Sequence, residues 1–599
     1  MQRAVRSVAA GVSGVEGKRL TAGWSLAEHM RQSRANFKFA FRQCKADEAQ
    51  YRAEALSAKM QDGRIKSFWH DIRSAKSNPQ LLVQRVDQAT GERDVAELWM
   101  RKYRQVFNSI DDARSQDDFT AGLRDAVNEP INFVTVEELK AIVCALPNNK
   151  AVGLDTIPNE LFKQAPQWLL VWLSQTFNTF LAHCFLPLSF TDVYLVPLLK
   201  NKLKDHADSA NYRPIAIATA ASKVFERLLS NRLIDFLDTT DNQFGFKPHH
   251  STEMCVFTLK EVVRYYLQLN TPIFLCFIDV KSAFDRVSYW LLLSKLQERG
   301  VPLYLLLILQ HWFTEQQLCV RWGATISDTF NMKNGIRQGS VLSPILFNVY
   351  VDQLNVLLND SRIGCHIANK AVNNFAYADD LAIVCPSASA LNDLLRICED
   401  FARHHYIQFS TNKSVCMNIC PSSCHLSSRP DIYFCGTVLE YVEKFTYLGH
   451  VIIEDFNDDE DVKKETRNLC ARGNALIRTF YFANFDVKIR LFTTYCFSFY
   501  CSPLWNNFRV ATLSRLRVTY NNIMRRLAGV PPWHSAREMF VHSGVDSFAE
   551  RVRWQCWGTM QRVTNSQNVL VQTARDSDAG LHSQLWQRWI HLLYLHPPP

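Results

Sequence analysis

Two apolar runs far apart in the chain each deliver carboxylates at one end, and this most limits what the chain can fold into. Ile273-Phe-Leu-Cys-Phe-Ile278 shows no polar alternation, the pattern of a strand covered on both faces, and it ends at Asp279. Phe375-Ala-Tyr-Ala-Asp379-Asp380-Leu-Ala-Ile-Val384 reads as two short strands with paired acids at their turn. A buried carboxylate without a partner is costly, so Asp279 needs a cation or an opening into a cleft. Asp379 and Asp380 repel each other, and a divalent cation removes that repulsion. Oxygen ligands from one or two carboxylates, completed by substrate phosphates, are the usual way Mg²⁺ is held. Taken singly, Asp279 would also suit a strand end or helix cap, and the doublet a polar turn. The combination points to metal chemistry.

Further residues fit such a site. Phe284 lies just past the first strand, where an aromatic ring could wall one side of a sugar pocket, although it would equally suit a core. Gly335-Ile-Arg-Gln338-Gly339-Ser-Val-Leu-Ser343-Pro344 places two glycines around Gln338, so the backbone can approach a ligand closely. Ser343-Pro344 is a cap and first-turn pair predicting a helix start, and a Gly-rich turn entering a helix favours phosphate or sugar nearby.

The surrounding text divides in three. Residues 131–455 mix strand-like runs, such as Tyr194–Leu199, with helical stretches, an α+β signature without regular βαβ repetition. Residues 1–130 read as a basic helical extension and 456–599 as a second helical region. The 599-residue chain carries +9 net charge, but residues 1–110 hold +9, residues 456–599 hold +7 and the centre −7. Basic flanks suit a polyanion and an acidic centre suits metal ions. Within Arg31–Leu56, Phe37, Phe41 and Cys44 predict a packing face beside a stripe of Arg31, Arg34, Lys38, Arg42 and Lys45. Leu513, Leu516, Tyr520, Ile523 and Leu527 predict a helix that Gly529 and Pro531 stop. The 17 scattered cysteines suit free thiols in a reducing compartment, and no apolar run approaches the ~18 residues that span a membrane. The first 15 residues carry Arg3 and Arg6 without the apolar run of a secretory signal. Cys416, Cys420, Cys424 and His425 hint at zinc, but their spacing is irregular and free cysteines are the better reading.

As an ordered set these segments resemble the reverse transcriptases of non-LTR (LINE-type, jockey-like) retrotransposons over about residues 150–453. Lys150–Glu160 resembles the segment before the fingers, Asn211-Tyr-Arg213-Pro214 the first fingers motif, and Gln243-Phe-Gly245-Phe-Lys247-Pro248 the second. Asp279–Asp285 resembles motif A, Gly335–Pro344 motif B, Phe375–Asp380 motif C, Asn412-Lys413 motif D and Tyr447-Leu448-Gly449 motif E. The resemblance implies an α+β right-hand polymerase with fingers and a ferredoxin-like palm over 131–455 and a helical thumb within 456–599. It implies an RNA-directed DNA polymerase that extends a DNA primer on an RNA template with dNTPs, using two Mg²⁺ ions or Mn²⁺ in their place. Asp279 and Asp379 would bridge the metals, with the Val280 carbonyl as a further ligand and Asp380 in support. Phe284 would stand at the sugar gate and Gln338 at the incoming nucleotide. Arg213 and Lys247 would meet the triphosphate, and Lys413 would serve as proton donor or phosphate contact.

Two departures stand out. Lys247 replaces the usual Arg, trading a planar fork for a point charge, and His249-His250 replace the usual Gly and Arg. About 130 residues precede the polymerase part, short of the endonuclease domain such elements carry, so that activity is expected in trans or missing. No membrane partner is implied, and the expected location is the cytoplasm or nucleus. The competing readings are a catalytically silent relic that binds RNA through its basic flanks, and an RNA-dependent RNA polymerase, which Phe284 disfavours.

Overall fold

The apolar run at 273–278 forms a strand buried at every position, and the fold around it follows from covering both its faces. The computed structural model describes residues 26–76, 83–125, 129–201, 204–421, 429–577 and 583–595. Arg3, Arg6, Cys424 and His425 lie outside the described residues.

The strands that matter here are β1 (Val193–Leu199), β2 (Tyr212–Ile217), β3 (Ile273–Ile278), β4 (Gln317–Trp322), β5 (Asn374–Tyr377), β6 (Asp380–Cys385) and β7 (Val415–Ile419). The helices are α1 (Leu26–Gln61), α2 (Glu92–Val106), α3 (Ala220–Leu233), α4 (Thr252–Gln268), α5 (Ser343–Asp360), α6 (Ala388–His404), α7 (Asp459–Thr479), α8 (Val510–Ala528) and α9 (Val569–Asp576).

The central sheet runs in the order β5-β6-β3-β7, with Glu440–Tyr441 as its outer strand. β3 is antiparallel to both neighbours, with Leu381 opposite Ile278 and Cys416 opposite Cys276. In chain order β3, α5, β5, β6, α6 and β7 make a β-α-β-β-α-β unit, the ferredoxin-like arrangement. Phe274, Cys276 and Ile278 of β3 pack with Ile383 of β6 against Leu354 of α5 and Leu394 of α6. On the opposite face Phe277 stacks on Phe445, centroids 4.4 Å apart. Two covered faces explain why β3 shows no alternation.

α5 begins at Ser343 with Pro344 in its first turn, but Leu342 takes the cap position and no side chain caps the end. The expected Ser343 cap is therefore shifted by one residue. The buried Glu226 carboxylate of α3 accepts the Leu342 N–H at 3.3 Å instead.

A second sheet runs β2-β1-β4, extended by Thr325–Ile326, with Phe330–Asn331 also pairing β4. α2 lies on it through Val95, Trp99 and Tyr103, and Trp99 meets Tyr212 at 5.0 Å between centroids. This packing draws residues 81–130 into one compact unit, 81–456 together with 560–588. The division expected near residue 130 is not where the units part, because composition follows the solvent face whereas Trp99 is buried by distant strands.

The other unit comprises 1–80, 457–559 and 589–599. There α8 packs on α7, burying Leu516, Tyr520, Ile523 and Leu527 as their spacing predicts, and ends at Gly529 with φ +70°. A Cβ at Gly473 of α7 would lie 2.5 Å from Ile523 Cδ1, so the two helices meet where a side chain is missing. α1 departs from expectation. Phe37 and Phe41 are 61% and 47% exposed and stack on each other, and Cys44 is also exposed. Burial in α1 comes later, at Ala53 and Leu56, where the following helix Ile65–Lys76 lies alongside.

Candidate active site

The site is built where β3 stops. Beyond Ile278 the chain is pinned to the 408–414 segment: Ser410 N–H donates to the Asp279 carbonyl at 2.8 Å, Asp279 N–H donates to Ser414 Oγ at 3.2 Å, and Val280 bridges Phe409. The same segment brings Lys413 Nζ to 3.1 Å from Asp279 Oδ2, both groups reaching solvent.

The doublet arrives on the neighbouring hairpin. Tyr377 pairs with Asp380, so Ala378 and Asp379 form a two-residue turn, and Ala378 takes φ +57°. Because Leu381 lies opposite Ile278, the doublet falls beside Asp279. Its electrostatics agree. The Asp379 carboxyl is held above its ordinary value first by desolvation and then by Asp279, while Arg213 and Lys413 act in the opposite sense. Asp380 is pushed up to about 6 by desolvation, then by Asp379 and Asp279. Three carboxylates thus share one open edge of the sheet, and each additional negative charge there is resisted.

Motif A continues into a turn held against motif B. Ile336 N–H donates to the Phe284 carbonyl at 2.7 Å, Gly335 N–H to the Val287 carbonyl at 2.7 Å, and Gln338 Nε2 to Asp285 Oδ1 at 3.1 Å. Gly335 has φ +93°, and a Cβ there would sit 2.8 Å from the Asp285 carbonyl. Phe284 is half-buried and stacks on Phe347 of α5, centroids 4.7 Å apart. The Gln338 carbonyl accepts from Ala216 N–H of β2 at 2.8 Å, which ties this loop to the second sheet.

Arg213 is exposed on β2, opposite Leu198. Lys200, just past β1, escaped the sequence reading. Burial, then Lys413 and then Arg213 lower its ammonium, so three cations gather here. A lysine ending one strand of a pair whose partner carries Arg213 was the available signal. Lys247 lies in a different setting. Its ammonium donates to the Thr239 and Thr240 carbonyls at 2.6 and 2.8 Å, and burial lowers its proton affinity. The acids around it are Asp241, Asp238 and Asp352, not the site's carboxylates, so its charge serves its own loop.

Among the described residues no group of three His, Cys, Asp or Glu side chains could hold a metal ion by itself, and every cysteine is free. The donors at Asp279, Asp379 and Asp380 nevertheless suit Mg²⁺: hard oxygens, mutually repelling, open to solvent on one side and able to leave coordination positions for phosphate oxygens. No helix among the described residues is long and apolar enough to cross a membrane.

Residues 200–452 match the family described as "Reverse transcriptase (RNA-dependent DNA polymerase)". The chain is 24% identical over 458 residues to the RNA-directed DNA polymerase from mobile element jockey of Drosophila funebris, covering 74% of this chain and 49% of that protein. It is 26% identical over 424 residues to the probable RNA-directed DNA polymerase from transposon BS of Drosophila melanogaster, covering 67% and 45%. The chain thus spans about half the length of these curated relatives. Among solved structures, apo telomerase from Candida tropicalis aligns at TM-score 0.37 and 12% identity, over 72% of this chain and 70% of that one. The segment that builds the carboxylate site thus lies within the match to the reverse transcriptase family, in a chain similar to the polymerases of jockey-type mobile elements.

Proposed function

We propose that the chain is an RNA-directed DNA polymerase of a non-LTR retrotransposon, extending the 3′-OH of a DNA primer on an RNA template with dNTPs. The observation that carries this is the meeting of Asp279 with Asp379 and Asp380 at an open sheet edge, faced by Lys413 and Arg213, inside a reverse transcriptase domain. Asp279, Asp379 and the Val280 carbonyl would hold two Mg²⁺ ions, or Mn²⁺, with Asp380 beside them. Bound there, the ions supply activation of the 3′-OH and neutralisation of charge on the triphosphate.

The protein's own groups do the rest. Arg213 and Lys413 attract the triphosphate to a place where carboxylates alone would repel it. Lys413, drawn to Asp279 at 3.1 Å, is placed to exchange that partner for a phosphate oxygen when nucleotide enters. The Phe284 ring, braced by Phe347, walls the sugar position and excludes a 2′-OH. Gln338, held by Asp285 and β2, presents its loop to the incoming nucleotide. The expected workplace is the cytoplasm or nucleus.

Primer extension on an RNA template with Mg²⁺ and dNTPs tests this. Extension that fails on removing the metal or on Asp379→Asn is the expected result. A well-folded chain that binds RNA yet adds no nucleotide overturns it.

A further inference from the structure

The turn that carries Asp379 has a weak point. Ala378 is a non-glycine residue with φ +57°, a conformation costing about 1–2 kcal/mol unless its surroundings impose it. The Gln243 side chain supplies those surroundings. Its Oε1 accepts from Ala378 N–H at 2.8 Å and from Gly245 N–H at 2.9 Å, and its Nε2 donates to the Ala378 carbonyl at 3.3 Å. One amide thus grips both polar groups of the residue preceding Asp379.

The grip is rigid. Gln243 is completely buried and forms a parallel bridge to Ala376. Phe244 N–H donates to the Ala376 carbonyl at 2.8 Å, and Ala376 N–H to the Asn242 carbonyl at 2.9 Å. Residues 242–244 therefore act as an extra strand along the free edge of β5. Asn348 Nδ2 of α5 fixes the next carbonyl, that of Gly245, at 2.7 Å. A Cβ at Gly245 would overlap the Ala378 amide nitrogen and lie 3.0 Å from Gln243 Oε1, so only glycine lets the loop come this close. The loop is held further by the C-terminal segment, where Asn568 Nδ2 donates to the Asp241 carbonyl at 2.8 Å and lies 3.1 Å from His250 Nε2.

We propose that Gln243 is a positioning residue for Asp379: its amide clamps Ala378 and so sets the carboxylate that the polymerase needs. The inference rests on reading Asp379 as a metal-holding residue.

Hydrogen exchange and primer extension, both on the full chain, test it together. In the unaltered protein the Ala378 amide, though at a turn, is protected. In Gln243→Ala it exchanges at least about tenfold faster while the β7 amides keep their protection. In the same variant kcat falls about 10- to 100-fold, as for loss of an outer-shell partner, with little change in the KM for dNTP. Gly245→Ala, which leaves Gln243 in place, shows the same pair of effects. An unprotected Ala378 amide in the unaltered chain overturns the proposal without any variant. So does a loosened turn in Gln243→Ala that leaves kcat unchanged. A wild-type chain that extends no primer removes the reading of Asp379 instead, while the protection of Ala378 still reports on the clamp.

Discussion

The loop carrying Lys413 and the loop carrying Lys247 put the same residue type to opposite uses. Lys413 is 69% exposed and pairs directly with the Asp279 carboxylate at the solvent-facing edge. Lys247 is spent on two backbone carbonyls of its own loop. The same split separates the carboxylates. Asp279, Asp379 and Asp380 reach the open edge, whereas Asp285, six residues past Asp279, is buried against Gln338. The lesson is that a charged residue in a motif belongs to the chemistry only where the fold leaves its end free to exchange partners.

The most severe challenge to this contrast is Asp379→Asn. Losing one carboxylate from the shared edge should reduce nucleotide addition more than about 100-fold, beyond the usual cost of losing an outer-shell group. RNA affinity and its salt dependence should not change, since no cation is removed. Extension assays beside RNA titrations at several salt concentrations check this, and binding that falls with activity would show the acids to be architectural.

Phe284→Val sharpens the same line between wall and core. Shortening a half-buried ring that stacks on Phe347 should relax the rejection of ribonucleotides by about 10- to 200-fold, the range for a pocket contact of this size. Competition between dNTP and rNTP in single-nucleotide extension measures the ratio. Unchanged discrimination would return Phe284 to the core.

The paired lysine variants come next. Lys413→Ala should lower kcat/KM for dNTP by about 10- to 100-fold, the worth of one charge-assisted hydrogen bond of about 1.5–3 kcal/mol, with unfolding unaffected. Lys247→Ala should do the reverse. Kinetics stay as they were, and stability falls by about 1–3 kcal/mol because the Thr239 and Thr240 carbonyls lose their donor. Chemical denaturation of both variants decides it, and a kinetic defect confined to Lys247→Ala would reinstate it as a phosphate ligand.

What the sequence made legible follows this division. β3 was readable because burial on both faces leaves an unbroken apolar run, and the doublet because adjacent acids between apolar residues have few other uses. The partners of Lys247 were not legible, because the carbonyls that absorb its charge stand at the entry to the turn at 240–243, which spacing does not encode. Phe37 and Phe41 marked a helix face correctly but not its partner, since periodicity says which residues align and not what lies opposite. Gln243 stood inside a motif without attracting notice. Its partners are the backbone groups of Ala378, which any sequence at that position would present.

The smallest effect concerns Asp285, the buried counterpart of Asp279. Burial pushes its carboxyl up to about 6 from an ordinary 3.8, while the Gln338 and Ser282 hydrogen bonds and then Lys200 act in the opposite sense. A carboxyl raised on folding stabilises the protein as the neutral acid. That contribution is complete below the unfolded value and is lost as pH rises through about 6. Asp285→Asn removes the titration but keeps an oxygen to accept from Gln338. The variant should therefore gain on the wild type as pH climbs from about 4 to about 7, seen as converging or crossing urea midpoints. A gap that stays constant over this range would mean that Asp285 titrates as if in water, and the division between free and spent carboxylates on this segment would fall.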